Sequence, residues 1–319
     1  MFNSLSIMKG ARVAVETCMN TKPTETLLVI TDTGKLEIAE AFSYAATSVG
    51  AKTVISIMEP LSRSGEEPPK PVAEALLSAD VALMSTTKSL SHTDARRNAT
   101  KRGVRIASMP GITMDMMSTG GLTADYTKVA ELTKRVAEVL EKGKNVKITT
   151  PSGTNLTMSI EGRPPLADTG LYHNPGDWGN LPAGEACLAP VEGTTQGLLV
   201  IDSMGNIVKQ PLHITVENGW ARKFKGPDAV QLENLLKSAD ENAYNIGELG
   251  IGTNPKARIT GAVLEDEKVL GTVHIALGDN TSYKGGHTKS KTHLDGILFQ
   301  PTVKVDDHLI MKDGQLLIT

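Results

Sequence analysis

Five residues of the C-terminal half have the types and settings that bind a divalent cation: Glu185, Glu248, His274, His293 and Asp295. In "KTHLDGIL" a histidine and a carboxylate stand two apart in an apolar run, and strand periodicity sends both side chains to one face. His274, in "GTVHIALG", shares a strand face with Thr272 and Ala276 and opposes Val273, Ile275 and Leu277. Glu185 in "LPAGEACLAP" and Glu248 in "NIGELGIGTNP" are set among apolar and small residues, where an unpaired carboxylate is costly unless a cation compensates it. Singly, each has a plainer explanation: an ion pair for His293 and Asp295, a hydrogen-bonded structural histidine for His274, backbone acceptors in tight turns for the glutamates. Together they predict a site of carboxylates and imidazoles for a hard divalent ion. His92, in "SLSHTDARRNA", is a separate candidate. It follows the strand-like "VALMST" and so falls at the carboxyl end of a parallel strand, where open α/β sheets place ligands, although its neighbours Ser91 and Thr93 are also good helix N-caps.

Positioning these residues requires two kinds of architecture. From "TLLVITDT" to "VRIASMPG", short β-branched and aliphatic runs alternate with amphipathic helical patterns, which predicts a doubly wound α/β domain with a parallel sheet. No GxGxxG follows the first strand, so dinucleotide binding lacks its main signature. A helix over "ADYTKVAELTKRVAEVLEKG" closes this first domain, residues 1–143, at Gly143. Residues 144–319 change to short β-like runs punctuated by Gly, Asn and Pro, with one helix near Asp228–Asp240. The dipeptides Asn218-Gly219 and Asp313-Gly314 are hairpin signals. This half is expected to be a β-rich α+β domain carrying the metal site. Met84, Met109, Met114, Met116 and Met117 gather near the ends of the early strands, either as core fillers or as an adaptable apolar lining.

Composition sets outer bounds. With 33 Lys plus Arg against 36 Asp plus Glu and a formal charge of −3, nucleic acid is not expected as a partner, and "ARRNATKRG" is expected to be the solvated face of one helix. No apolar stretch is long enough for a membrane helix and the N-terminus lacks a signal-peptide layout, so the expected setting is soluble and cytoplasmic. The two cysteines, Cys18 and Cys187, form no metal-binding pair motif and are expected to be small core residues.

The stretches "PAGEACLAPVEGTTQG", "GELGIGTNP", "GTVHIALG" and "THLDGIL", in that order between Leu181 and Asp313, resemble the metal-site motifs of the thermophilic-type dinuclear metalloaminopeptidases, the leucyl aminopeptidase-like family. The resemblance implies two divalent ions, zinc, cobalt, manganese or magnesium, held by Glu185, Glu248, His274, His293 and Asp295. It also implies homo-oligomers and hydrolysis of the N-terminal residue from a peptide or amide. Two ions would activate a shared water, with Glu185 or Glu248 shuttling its proton and Tyr283 stabilising the oxyanion as the loop "GDNTSYKGGHT" closes on its glycines. The chain departs from that family at two points. The expected acidic residue before "HIALG" is matched only by Glu267, two positions too far, and the tyrosine expected seven residues after His274 is Thr281, with Tyr283 the nearest substitute.

"NPGDWGNLPAGE", "THLDGIL" and the region of His92 also resemble the 2,5-dihydroxypyridine 5,6-dioxygenases, ring-cleaving enzymes with one non-haem iron. In that family the position of Glu248 resembles a histidine, giving a site of two histidines and one carboxylate for a single Fe(II). Because Glu185 and Glu248 are both carboxylates here, the expectation favours the two-ion hydrolase. The dioxygenase is the alternative, and a structural metal in a non-catalytic ligand-binding protein is a third.

Overall fold

Runs that are apolar on both faces must be covered on both faces, and the early strands meet this requirement as a parallel sheet. In the computed structural model, which describes residues 4–318, the first elements are α1 (Ser4–Arg12), β1 (Thr26–Asp32), α2 (Leu36–Ser48), β2 (Lys52–Met58), α3 (Lys70–Leu76), β3 (Val81–Ser85), α4 (Asp94–Lys101), β4 (Arg105–Ser108), α5 (Met114–Ser118) and α6 (Tyr126–Lys142). Then follow β5 (Asn145–Thr149), β6 (Asn155–Ser159), β7 (Leu166–Asp168), β8 (Trp178–Asn180), β9 (Glu185–Leu188), β10 (Gln196–Ile201), β11 (Leu212–Glu217) and β12 (Trp220–Lys225). The chain continues through α7 (Ala229–Ala239), β13 (Ile246–Gly252), α8 (Val263–Asp266), β14 (Val273–Gly278), β15 (His293–Leu298), β16 (Thr302–Val305), β17 (His308–Lys312) and β18 (Gln315–Leu316).

Packing divides these elements between two compact units. Unit 1 comprises the chain up to Ala130 with Thr169–Ala183 and Pro255–Arg258, and unit 2 comprises Glu131–Asp168, Gly184–Asn254 and the segment from Ile259 onward. Unit 1 holds a parallel sheet in the order β2-β1-β3-β4-β8. Leu28, Ile30, Ala82, Met84 and Ile106 share a core with Val72 and Leu76 of α3 and Ala95 and Ala99 of α4. The alternate set, Leu27, Val29, Leu83 and Ala107, is equally buried, so both faces are covered, as the doubly wound pattern requires. Met84, Met109, Met116 and Met117 are fully enclosed, which makes them core rather than an open lining.

The expected solvated helix "ARRNATKRG" forms as α4, but Arg96 is a correction to that expectation. It is buried, its guanidinium lies 3.6 Å from the centre of the Trp178 ring, and its Nε donates to the Ser91 carbonyl at 2.7 Å. Trp178 provides a π face that accepts the desolvated cation, while Arg97 and Lys101 remain exposed.

Unit 2 contains an eight-stranded antiparallel sheet, β12-β11-β10-β6-β5-β16-β17-β18, and a five-stranded antiparallel sheet, β15-β14-β13-β9-β7. Residues of both sheets, among them Leu199, Ile214, Leu249, Ile251, Val273 and Ile275, join one hydrophobic core with Leu232 and Leu236 of α7. Asn218-Gly219 and Asp313-Gly314 close the β11–β12 and β17–β18 hairpins, with φ of 51° and 78° at the first and 48° and 79° at the second. Positive φ at both central residues is the backbone of the turn expected there. The fold is thus the α/β class expected, a parallel-sheet part with a β-rich part. Cys18 and Cys187 are buried and form no disulfide, and among the described residues no helix is long and apolar enough to cross a membrane.

Candidate metal centre

The five-stranded sheet has one apolar and one polar face, and strand alternation assigns the candidate residues to the polar one. Ala186, Leu188, Leu249, Ile251, Val273, Ile275 and Leu277 enter the core, so Glu185, Cys187, Glu248, Gly250, His274 and Ala276 point the other way. On β13 this alternation passes through a bulge between Ile246 and Glu248. The register then aligns the site: Gly252 opposes Glu185, Gly250 opposes both Cys187 and His274, Ala276 opposes both Glu248 and Asp295, and Gly278 opposes His293. Small residues therefore alternate with ligating ones across the strands. A Cβ at residue 250 would overlap the His274 imidazole, so the ring lies where only glycine permits it.

The four strands bring the donors together. His274 Nε2 lies 3.1 Å from Glu185 Oε2 and 3.2 Å from Glu248 Oε1, and His293 Nε2 lies 2.8 Å from Glu248 Oε2 and 3.3 Å from Asp295 Oδ1. Glu248, His274 and Asp295 offer ligand atoms within 4.8 Å of one another, as do Glu185, Cys187 and Glu248. The donor set fits a metal ion on a further observation. Glu185 Oε2, Asp295 Oδ1 and His274 Nδ1 are buried, and among the described residues the two carboxylate oxygens have no neighbour of opposite charge beyond the imidazoles at 3.1 and 3.3 Å, so both remain open to a cation. His293 is also set up as a ligand. Its Nδ1 donates to the Asp279 carbonyl at 2.7 Å, which leaves the neutral ring's lone pair on Nε2, facing the carboxylates.

Burial and charge act in opposition on every group here. Burial disfavours the charged imidazoles, but Glu185 and Glu248 around His274, and Asp295 and Glu248 around His293, outweigh it and hold both rings well above the ordinary imidazole value. Burial would raise the Glu248 carboxyl, yet its hydrogen bonds to His274 and His293 keep it well below the usual carboxylate range. Glu267 goes the other way, pushed up to about 8 by burial, with Lys268 opposing the shift and Asp295 and Glu185 adding to it.

The sequence reading missed Lys268. Its ammonium is buried, 2.5 Å from Glu185 Oε1, 2.8 Å from Glu267 Oε1 and 3.7 Å from Asp168 Oδ2. Asp168 pairs directly with Glu185 across β7 and β9. Nothing in "LEDEKVLG" distinguishes this lysine from a solvated one; its chain neighbours are charged and only the tertiary fold encloses it.

Tyr283 does reach the centre, donating from its hydroxyl to Glu248 Oε2 at 2.5 Å. The loop that carries it is anchored at several points rather than hinged. Glu192 accepts from Asn280 Nδ2 at 2.8 Å and from the His287 backbone at 3.1 Å, and Arg163 pairs with Glu192 and with the Gly285 carbonyl. The expected role for Gly286 is corrected accordingly: a Cβ there would overlap Asn280, so it serves close approach rather than movement. Glu185, Glu248, Glu267, His274, Tyr283, His293 and Asp295 thus all belong to one constellation in unit 2. His92 belongs to unit 1, exposed, with its ring edge-on to Trp178 at 6.4 Å, beside the N-cap Thr93 that accepts from Arg96 N at 3.2 Å.

Comparison with known proteins bears on what such a centre does. A family model described as NicX, 2,5-dihydroxypyridine 5,6-dioxygenase, matches residues 7–318. A curated 2,5-dihydroxypyridine 5,6-dioxygenase of Pseudomonas putida (strain KT2440) is 25% identical over 187 residues, and that alignment spans 53% of this chain and 53% of the relative, about half of each. The solved structure of 2,5-dihydroxypyridine dioxygenase from Pseudomonas putida KT2440 matches over 100% of this chain and 99% of its own, with a TM-score of 0.82 and 18% identity. Wild-type AmpT from Thermus thermophilus matches over 98% and 99%, with a TM-score of 0.73 and 15% identity. The last two are likenesses of fold. The family match overturns the main expectation of a hydrolase: the aminopeptidase resemblance holds at the level of fold, and the peptidase activity, the metalloprotease class and Tyr283 as a peptidase oxyanion group are withdrawn with it.

Two outcomes follow from the geometry. Gly250→Ala is expected to weaken metal retention by about 10- to 100-fold, because the added methyl displaces the His274 ring; circular dichroism should remain native, and full retention in equilibrium dialysis would refute the placement of His274. Both imidazoles hold their protons at neutral pH in the ion-free protein, so an ion must displace them. Titration calorimetry at pH 7 in buffers of different ionisation enthalpy should record proton release on metal binding, with affinity falling as pH is lowered.

Proposed function

The chain belongs to the 2,5-dihydroxypyridine 5,6-dioxygenase family, and from that premise we propose that it is a metal-dependent dioxygenase that opens a hydroxylated pyridine-like ring. The observation that carries this reading is the family match over residues 7–318. The site geometry supports it. Two imidazoles with a carboxylate are the donor set that suits ferrous iron with positions left for substrate, and His274, His293 and Asp295 supply it from adjacent strands. Such an ion, when bound, supplies the redox chemistry that lets O2 react with an electron-rich ring.

The rest falls to side chains of this chain. Residue 248 is Glu here, and His274, opposite Gly250 and 3.2 Å from Glu248, joins His293 as the second imidazole. Glu248 serves as the further carboxylate donor, and Tyr283 fixes its rotamer by donating to Oε2. Asp279 fixes His293 in turn by accepting at Nδ1. The Arg163–Glu192 pair and Asn280 hold the Tyr283 loop in place, so the hydroxyl is positioned before any ligand arrives. A dihydroxypyridine bound at this centre would bring acidic hydroxyl protons, and Glu248 Oε2 with the Tyr283 hydroxyl would be a pair able to accept and pass one.

The test is oxygen consumption by protein purified anaerobically and loaded with Fe(II). With 2,5-dihydroxypyridine, one O2 should be consumed per ring opened, as the ring's ultraviolet absorbance disappears. Folded, iron-loaded protein that consumes no oxygen with any hydroxypyridine would end the proposal. Tyr283→Phe should retain iron and lower the turnover by about 10- to 100-fold, as loss of an outer hydrogen bond to a ligand does; an unchanged rate would remove Tyr283 from the mechanism.

A further inference from the structure

We infer that the Lys268 ammonium takes the place of a second metal ion, so that this carboxylate-rich centre accepts one divalent cation and not two. The inference rests on the reading of this sheet face as a metal centre. Its first ground is the surroundings of Nζ. Glu185, Glu267 and Asp168 stand around it at 2.5, 2.8 and 3.7 Å, and the side chains of all four residues are at most 12% exposed. An ammonium offers three donors from a compact charge, which suits three carboxylates converging from different elements.

The second ground is the two-sided contact of Glu185. Oε1 touches Lys268, while Oε2 points toward His274 Nε2 at 3.1 Å and has no hydrogen bond of its own. A carboxylate with one oxygen on each of two cationic positions is the arrangement of a bridging ligand in a two-metal clamp. Here one of the two positions is filled by a group the chain itself supplies.

The third ground is that the backbone holds Lys268 in place. The Lys268 carbonyl accepts from Asn254 N at 2.9 Å and its N–H donates to the Glu265 carbonyl at 3.0 Å. Gly252 lacks the Cβ that would collide with the Val269 carbonyl and the Lys268 backbone, so the segment lies directly against β13. For a second ion to enter, the lysine would have to leave a buried position among three carboxylates.

The experiment counts ions, without oxygen or substrate. Apo-protein titrated with Mn(II) or Zn(II), followed by calorimetry and by elemental analysis after gel filtration, should saturate at one equivalent. Lys268→Ala should rise to two equivalents, and Lys268→Arg, which keeps the charge, should remain at one. Two equivalents in the unaltered protein would overturn the inference, as would folded Lys268→Ala that stays at one equivalent in millimolar metal. If Lys268→Ala does not fold, Lys268→Gln takes its place, and the count for the unaltered protein decides independently. A protein that binds one ion yet cleaves no ring would sink the dioxygenase reading and leave this one standing.

Discussion

Five carboxylates, Asp168, Glu185, Glu248 and Asp295 of one sheet and Glu267 at the end of α8, are gathered in a poorly solvated region, and their mutual repulsion is the constraint that the rest of the centre answers. Buried anions at such spacing persist only when protonated, hydrogen-bonded or matched by cations. The chain uses hydrogen bonds and cations. Glu267, pushed up to about 8 by burial, shares the Lys268 ammonium with Glu185, and Glu248 is satisfied by His274, His293 and Tyr283. What is left over, on Glu185 Oε2 and Asp295 Oδ1, is a deficit of positive charge directed at one place. A divalent ion would match that deficit.

The scaffold meets this requirement mainly with residues that contribute no chemistry. Gly250 gives the His274 ring its space, Gly252 lets the Lys268 segment lie on the sheet, and Ala276 separates Glu248 from Asp295 without filling the gap. On the reverse face, aliphatic alternation from the same strands builds the core that sets their register. A one-residue slip in β14 or β15 would turn His274 or Asp295 into that core, so packing of the apolar face and assembly of the polar face are a single event.

Much of this was legible in the sequence because strand periodicity is a local property. His293 and Asp295 share a face for that reason, His274 opposes Val273 and Ile275 for that reason, and the two Asn-Gly and Asp-Gly turns close hairpins because their backbone preference is local too. Lys268, Asp168 and the inward turn of Arg96 were illegible for the opposite reason. A lysine among Glu265, Asp266 and Glu267 has the pattern of a solvated surface, and an arginine in "DARRNATK" has the pattern of an exposed helix; only distant segments enclose them. The glutamates were correctly placed among apolar neighbours, but the hydrolysis inferred from them is overturned by the family match.

That error identifies what separates the chemistries available to this fold. Carboxylates and imidazoles on neighbouring strands serve equally well for a pair of hard ions that activate water and for one ferrous ion that engages O2, so ligand identity alone does not choose between them. The number of ions does, and it follows from the charge that the protein supplies internally. With Glu185 and Glu267 both committed to Lys268, the oxygens remaining around His274 and His293 are those of Glu248 and Asp295, with the far oxygen of Glu185 at their edge. Those groups match one divalent ion more closely than two, since a second would have to compete with an ammonium that is already desolvated and already paired. If Lys268 excludes a second ion, a single buried lysine carries a carboxylate-rich centre away from hydrolysis, with every ligand that suggested hydrolysis still in place.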